Sequence, residues 1–288
     1  MSRVVALQRL SGVLPCVLAV SCSLTLDPER KQCEADSDCA RGGAGFASGM
    51  CREGFCVAEP KWSCLGRANA QRRDNGPFPV TLHIEDILSQ KPLAGVEARL
   101  CRKLDVNCDN PLSDPVVSGD DGVVGFDVWV EDPELGFMGY VLLTRDDVMP
   151  GLYFFNPPID RSVEVPAVQL AKQAVASVLV QQVGLPYEPE RGLILLSAFD
   201  CEGEPTAGVM LQMDEAHQGA APFYSVNGLP ASTATATDSS GYGGVINAPA
   251  GTIALTGRLE DGERVVGKVS LLVKPGSITY SRMVPNGS

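Results

Sequence analysis

The sequence predicts a mainly β protein: two tandem β-sandwiches preceded by a small disulfide-rich module, with one bridging helix. Three observations carry that expectation. The 288 residues hold 30 Gly and 21 Pro against 6% aromatics, and their apolar residues fall in short runs broken by turn residues, which favours strands over a helix bundle. Four cysteines crowd into Cys33–Cys56, a stretch with too few apolar residues to build a core of its own. Finally, a strand–turn–strand pattern occurs twice, with a spacing of 113 residues between Gly95 and Gly208 and of 119 between Gly122 and Gly241.

The amino-terminal stretch has the order of an export signal. Arg3 and Arg9 precede an apolar run from Leu10 to Val20, which small residues close. That run is much shorter than the roughly 20 apolar residues a membrane span needs, and Pro15 interrupts it. Ala19-Val20-Ser21-Cys22 resembles the lipobox of bacterial lipoproteins. The resemblance implies a diacylglyceryl group on the Cys22 thiol, cleavage before it and acylation of the new amino terminus. Ala19 stands where the family usually has Leu, and Ala19 with Ser21 also suits ordinary signal peptidase, so secretion as a soluble protein is the alternative.

Cysteine parity points to the lipid. Of the 10 cysteines, Cys16 leaves with the signal and Cys22 takes the lipid, so an even set remains: Cys33, Cys39, Cys51, Cys56, Cys64, Cys101, Cys108 and Cys201. Several acyl chains on one cysteine anchor stably where a single chain does not. Ser23 rather than Asp after Cys22 implies, by the same resemblance, the outer membrane of the cell envelope.

These features divide the chain into a signal peptide 1–21, a lipidated tether 22–31, a cysteine-rich module 32–60, a linker 61–76, a first sandwich 77–166, a bridging helix 167–185 and a second sandwich 186–288. Formal charge is −12, and loss of Arg3 and Arg9 makes the mature form more acidic still. Such a surface repels phosphate backbones, so nucleic acid is excluded as a partner. The membrane, reached through lipid on Cys22, and a protein or glycan remain.

In the module, Cys33 and Cys39 are separated by five residues, wider than structural zinc sites use, and no histidine is near, so disulfides are expected and metal is not. Asp36 and Asp38 read as a polar turn, since the residues after them offer few oxygens for calcium. The Cys-x-x-Asp-x-Asp-Cys opening and Cys-x-x-Gly-x-Cys close resemble small EGF-like or Dickkopf-like modules. Four cysteines allow three pairings. The alternating one, Cys33–Cys51 with Cys39–Cys56, is favoured.

Val80, Leu82 and Ile84 alternate with Thr81, His83 and Glu85, which begins the first sandwich. Pro92-Leu93-Ala94-Gly95-Val96 is echoed by Pro205-Thr206-Ala207-Gly208-Val209, and Gly122-Val123-Val124-Gly125-Phe126 by Gly241-Tyr242-Gly243-Gly244-Val245. The pattern resembles the carboxypeptidase regulatory-like domain, a prealbumin-type sandwich, most clearly from Gly192 to Gly251. That resemblance implies strand order more than function, since such sandwiches serve as spacers, adhesive modules and carbohydrate-binding modules. Between the copies, Val168, Ala171, Ala174, Val175, Val178 and Leu179 recur at helical spacing, with Gly184 and Pro186 ending the run. Cys101 and Cys108 are close enough for local closure, and elimination pairs Cys64 with Cys201 across a loop whose closure contributes roughly 4 to 5 kcal/mol.

Catalytic motifs are missing from the sequence. Neither His83 nor His217 has the spacing of a metal or nucleophile motif, and both read as strand or loop positions exposed to solvent. No catalytic residue, metal ligand or cofactor is assigned. Tyr140, Tyr153 and Phe155 lie near the Asp146-Asp147 pair, as rings and carboxylates do on a sugar-binding surface, although core packing accounts for the same residues. The expected function is a non-catalytic binding or structural lipoprotein; a carbohydrate-binding protein at cell wall or capsule, or an unrecognised hydrolase, are the alternatives.

Overall fold

The computed structural model describes residues 31–35, 38–39, 49–58, 60–66, 76–130, 132, 134–231 and 233–285. Cys22, the signal and Asp36 lie outside them. The chain is mainly β. A two-stranded hairpin, β1 (Gly49–Arg52) and β2 (Phe55–Ala58), belongs to the cysteine module. The first copy contributes β3 (Pro77–Asp86), β4 (Glu97–Arg102), β5 (Val116–Val117), β6 (Val123–Trp129), β7 (Gly139–Thr144), β8 (Gly151–Phe154) and β9 (Val163–Leu170). Helix α1 (Gln173–Gln182) follows. The second copy supplies β10 (Gly192–Ala198), β11 (Val209–Met213), β12 (Ala221–Val226), β13 (Leu229–Ala231), β14 (Tyr242–Ala248), β15 (Gly251–Leu259), β16 (Val265–Val273) and β17 (Ile278–Met283).

The repeat in sequence is a repeat in hydrogen bonding. Ile84 N–H donates to Gly122 O (2.9 Å) and Leu93 N–H to Ile84 O (2.9 Å); in the second copy Ala198 N–H donates to Gly241 O (2.8 Å) and Thr206 N–H to Ala198 O (2.9 Å). Gly95 and Gly208 have φ of 75° and 85°, Gly122 and Gly241 φ of 70° and 71°, which L side chains rarely adopt. A hydroxyl closes each turn. Ser118 Oγ accepts from Val96 N–H (3.0 Å) and donates to Leu93 O (2.7 Å); Thr237 Oγ1 accepts from Val209 N–H (3.0 Å) and donates to Thr206 O (2.8 Å).

Strand topology repeats too. In the first copy β3 pairs antiparallel with β6 and parallel with β9; in the second, β10 pairs antiparallel with β14 and parallel with β17. The opposing sheets are β5-β4-β7-β8 and β11-β15-β16. The copies are not separate, however. The carboxy-terminal strand β17 also pairs in parallel with β8, from Ile278 opposite Gly151 to Tyr280 opposite Tyr153, and fuses one sheet of each copy into a single nine-stranded sheet, β13-β12-β14-β10-β17-β8-β7-β4-β5.

Both faces of that sheet are covered where the copies meet. Val141, Leu143, Tyr153, Phe155, Leu193, Ile278 and Tyr280 join the core beneath β6-β3-β9, while Tyr140, Leu152, Phe154, Ile194, Leu196 and Met283 join the core shared with β11-β15-β16. All four residues of β8 are buried, and five of the six in β17. A strand covered on both faces reads as a continuous apolar run, and Leu193-Ile194-Leu195-Leu196 and Leu152-Tyr153-Phe154-Phe155 are such runs.

Two expected boundaries move. The expected helix 167–185 is shorter, because β9 runs to Leu170 and only Gln173–Gln182 is helical. Its inward face is Ala176 and Val180, whereas Ala174 and Val178 are exposed. Val183 caps the helix and Gly184, at φ 80°, follows it. Nor is residue 61 onward simply a linker: Trp62 and Leu65 are buried in the second copy's core.

Candidate functional site

Four disulfides form the covalent frame of the described residues. Cys33 is bonded to Cys51 and Cys39 to Cys56, the alternating arrangement of the three that four cysteines allow. The sulfurs of Cys33, Cys39 and Cys56 lie close together, but each is committed to a disulfide and so offers no thiolate to a metal. Asp38 turns inward on its own loop, its carboxylate accepting from Glu34 N–H (2.9 Å) and Ala35 N–H (3.1 Å).

Cys64 is bonded to Cys201, 137 residues away, and the surrounding backbone follows the bond: Cys201 N–H donates to Lys61 O (3.0 Å). The disulfide thus seats Trp62 and Leu65 against the second copy. Cys101–Cys108 closes a tight loop after β4. Within it, Asp105 accepts from Asn110 N–H (2.8 Å) and Asp109 N–H (3.0 Å), which holds its carboxyl below the usual range, and Tyr140 Oη donates to Asp105 O (2.6 Å).

The candidate ligand surface is corrected by burial. Tyr140 is 0% exposed, Tyr153 6% and Phe155 9%. They do not share a face either. Tyr140 stacks on Phe154 at 4.8 Å on one side of the nine-stranded sheet, while Tyr153 meets Phe155 edge-on at 5.5 Å on the other. Alternation along β7 and β8 sends neighbouring rings to opposite faces, and both faces are roofed. Burial pushes the phenols of Tyr140 and Tyr153 up to about 12, with Asp105 and Asp109 adding to the effect at Tyr140. The near-continuous apolar run over 152–155 is the signal that distinguishes a doubly covered strand from a wet one.

The titratable residues are dispersed. His83 is half-buried on β3, with Nε2 3.2 Å from Glu164 Oε1 on β9. His217 lies in the loop between β11 and β12, far along the chain and in the other copy. Asp147 is engaged by Arg145 (Nε to Oδ1, 2.6 Å), which lowers its pKa. A shallow cleft of about 140 Å³ lies at the seam between copies, lined by Lys103, Met138, Phe154, Asn156, Lys268 and Ser270. Its lining holds lysines, an amide and a hydroxyl, with no carboxylate or imidazole for acid–base chemistry.

No protein-family model and no curated protein matches the sequence. Among solved structures, the chain is similar to the Bacillus anthracis TIE protein over 72% of its own length and 33% of that chain, at 9% identity and a TM-score of 0.24. It is similar to a streptococcal ancillary pilin over 74% of its length and 64% of that chain, at 13% identity and a TM-score of 0.24. A dioxygenase matches 35% of this chain over 64% of its own, at 15% identity and a TM-score of 0.22. The chain thus spans about a third of the first of these proteins and just under two thirds of the other two. At such TM-scores none of them carries a function to this chain.

Proposed function

We propose that this is a non-catalytic interaction or structural protein of the bacterial cell envelope. Residues 1–21 export it, and lipid on Cys22 holds it at the outer membrane. An EGF-like cysteine module and two carboxypeptidase regulatory-like sandwiches form the folded body, which meets a protein or glycan. The supporting observation is the cysteine pairing. Cys33, Cys39, Cys51, Cys56, Cys64, Cys101, Cys108 and Cys201 bond among themselves, which fits an oxidising compartment outside the cytosol. With the other cysteines of the mature chain committed to one another, Cys22 has the parity of a thiol used for something else.

Metabolic labelling with a palmitate analogue tests the anchor. Label is expected on the wild-type chain and not on Cys22→Ala; equal labelling of the two, or none on either, would remove the lipid from the account.

A further inference from the structure

The repeat exposes an asymmetry. In the second copy, β14 is flanked on its outer side by β12, which runs antiparallel to it, with Phe223 opposite Gly244 and Tyr224 opposite Gly243. The equivalent strand of the first copy is β6, where Gly125 stands in the place of Gly244. Among the described residues, β6 pairs with β3 alone.

That no described strand covers β6 has a structural reason. The segment that becomes the β12–β13 hairpin in the second copy is represented in the first by residues 103–115. Cys101–Cys108 pins that segment to the other sheet, where Leu112 N–H donates to Leu100 O (2.8 Å). It runs along β4, and among the described residues no strand covers the β6 edge.

Register shows what the edge offers. Ile84 N–H donates to Gly122 O, and Val130 N–H to Gly76 O (3.4 Å), so even-numbered residues of this stretch turn their backbone groups to β3. Gly125, Asp127 and Trp129 therefore point N–H and C=O outward. Their side chains lie on the solvent face, with Trp129 69% exposed, while Val124, Phe126 and Val128 are buried.

We propose that β6 pairs with β6 of a second copy of this chain, forming a two-fold dimer with a continuous six-stranded sheet, β9-β3-β6-β6-β3-β9. An edge paired with itself about a two-fold axis is necessarily antiparallel, the sense in which β12 lies on β14. One register suits the side chains. With Phe126 on the axis, all seven residues of β6 overlap, Trp129 stands opposite Val123 of the second copy, and Asp127 stands opposite Gly125. Moving the register one step one way sets Asp127 against Asp127, which like charge disfavours; one step the other way sets Gly125 against Gly125 and takes Trp129 past the end of the strand. This pairing is independent of lipid on Cys22 and is tested separately from it.

The test is sedimentation velocity of the oxidised full chain over a hundredfold range of concentration, together with amide hydrogen exchange. The expected result is a species of twice 30.4 kDa, with the amides of Gly125, Asp127 and Trp129 becoming protected as it forms. Asp127→Pro removes one outward N–H at an edge position that proline tolerates, and should shift the chain to monomer, while Asp127→Asn should leave the dimer. A wild-type chain that stays monomeric, or a dimer that survives Asp127→Pro, would overturn the proposal. Protection of the three amides in a monomer would show that another part of the same chain covers the edge, and would overturn it equally. The exchange measurement on wild type stands even if the proline variant fails to fold.

Discussion

Ser118 and Thr237 make the same two hydrogen bonds in two copies of one turn, each hydroxyl accepting from an amide at the entry to a strand, Val96 just before β4 and Val209 at the start of β11, and donating to a carbonyl three residues earlier. Both side chains are buried, at 4% and 5% exposure, so water cannot replace them. Removing either hydroxyl strands a buried N–H, together with the buried C=O of Thr206 in one copy and the part-buried C=O of Leu93 in the other. Ser118→Ala and Thr237→Val should each destabilise the chain by about 1–3 kcal/mol, and Thr237→Ser by much less, as measured by denaturant unfolding. Equal stability of Thr237→Val and Thr237→Ser would show that the hydroxyl is not what closes the turn.

The glycines of the same turn give a sharper contrast. A Cβ on Gly122 would lie 2.5 Å from Ile84 O, and one on Gly241 2.4 Å from Ala198 O, in addition to the cost of positive φ. Gly228 has φ 82° but nothing within 4 Å of such a Cβ. Gly228→Ala should therefore cost only about 1–2 kcal/mol, the backbone penalty alone. Gly122→Ala and Gly241→Ala should cost more than that, since backbone must also move; thermal unfolding of the three variants side by side gives the ranking.

The repeat was legible because these turns demand particular residues. Gly95 and Gly208, and Gly122 and Gly241, sit where positive φ is required, so the motif survives in the sequence while the strands between diverge. The fusion of the copies was not legible. Nothing local in Ile278–Met283 distinguishes a strand that ends one sandwich from one that also pairs with β8, because parallel pairing across 127 residues leaves no turn signal. The same blindness affected Tyr140, Tyr153 and Phe155. Aromatics beside turns and carboxylates suit a binding face until the second roof over the sheet is known. Ala176 and Val180 illustrate a smaller miss: their helix is apolar nearly all round, so its inward face depends on where β9 ends.

The long disulfide should matter more than the short one. In the chain-entropy description, closing the Cys64–Cys201 loop contributes about 5 kcal/mol and closing Cys101–Cys108 about 2.5 kcal/mol. Replacing both Cys64 and Cys201 with Ala also frees Trp62 and Leu65 to leave the core. That pair of substitutions should lower the melting temperature more than replacing Cys101 and Cys108 together. Calorimetry on the two double variants would check the order, and the reverse order would mean that the 101–108 loop organises β4 and β7 more than closure entropy implies.

Alkaline titration reads the double roof directly. Tyr153 ionises at about 12 because burial opposes the phenolate, and Tyr140 at about 12 for the same reason, strengthened by Asp105 and Asp109. In the unfolded chain both phenols ionise near about 10. The folded state thus gains its full contribution from the neutral rings below pH about 10, and loses it as pH rises through about 12. For Tyr153 the difference is worth on the order of 2–3 kcal/mol. The near-ultraviolet phenolate absorbance of the native chain should therefore lag well behind that of the denatured chain, and unfolding should set in as it catches up. Tyr153→Phe should reduce the dependence of stability on pH across that window while leaving neutral-pH stability nearly unchanged. A native chain in which both phenols titrate near 10 would mean that the rings are open to water and that the sheet is not covered on both faces.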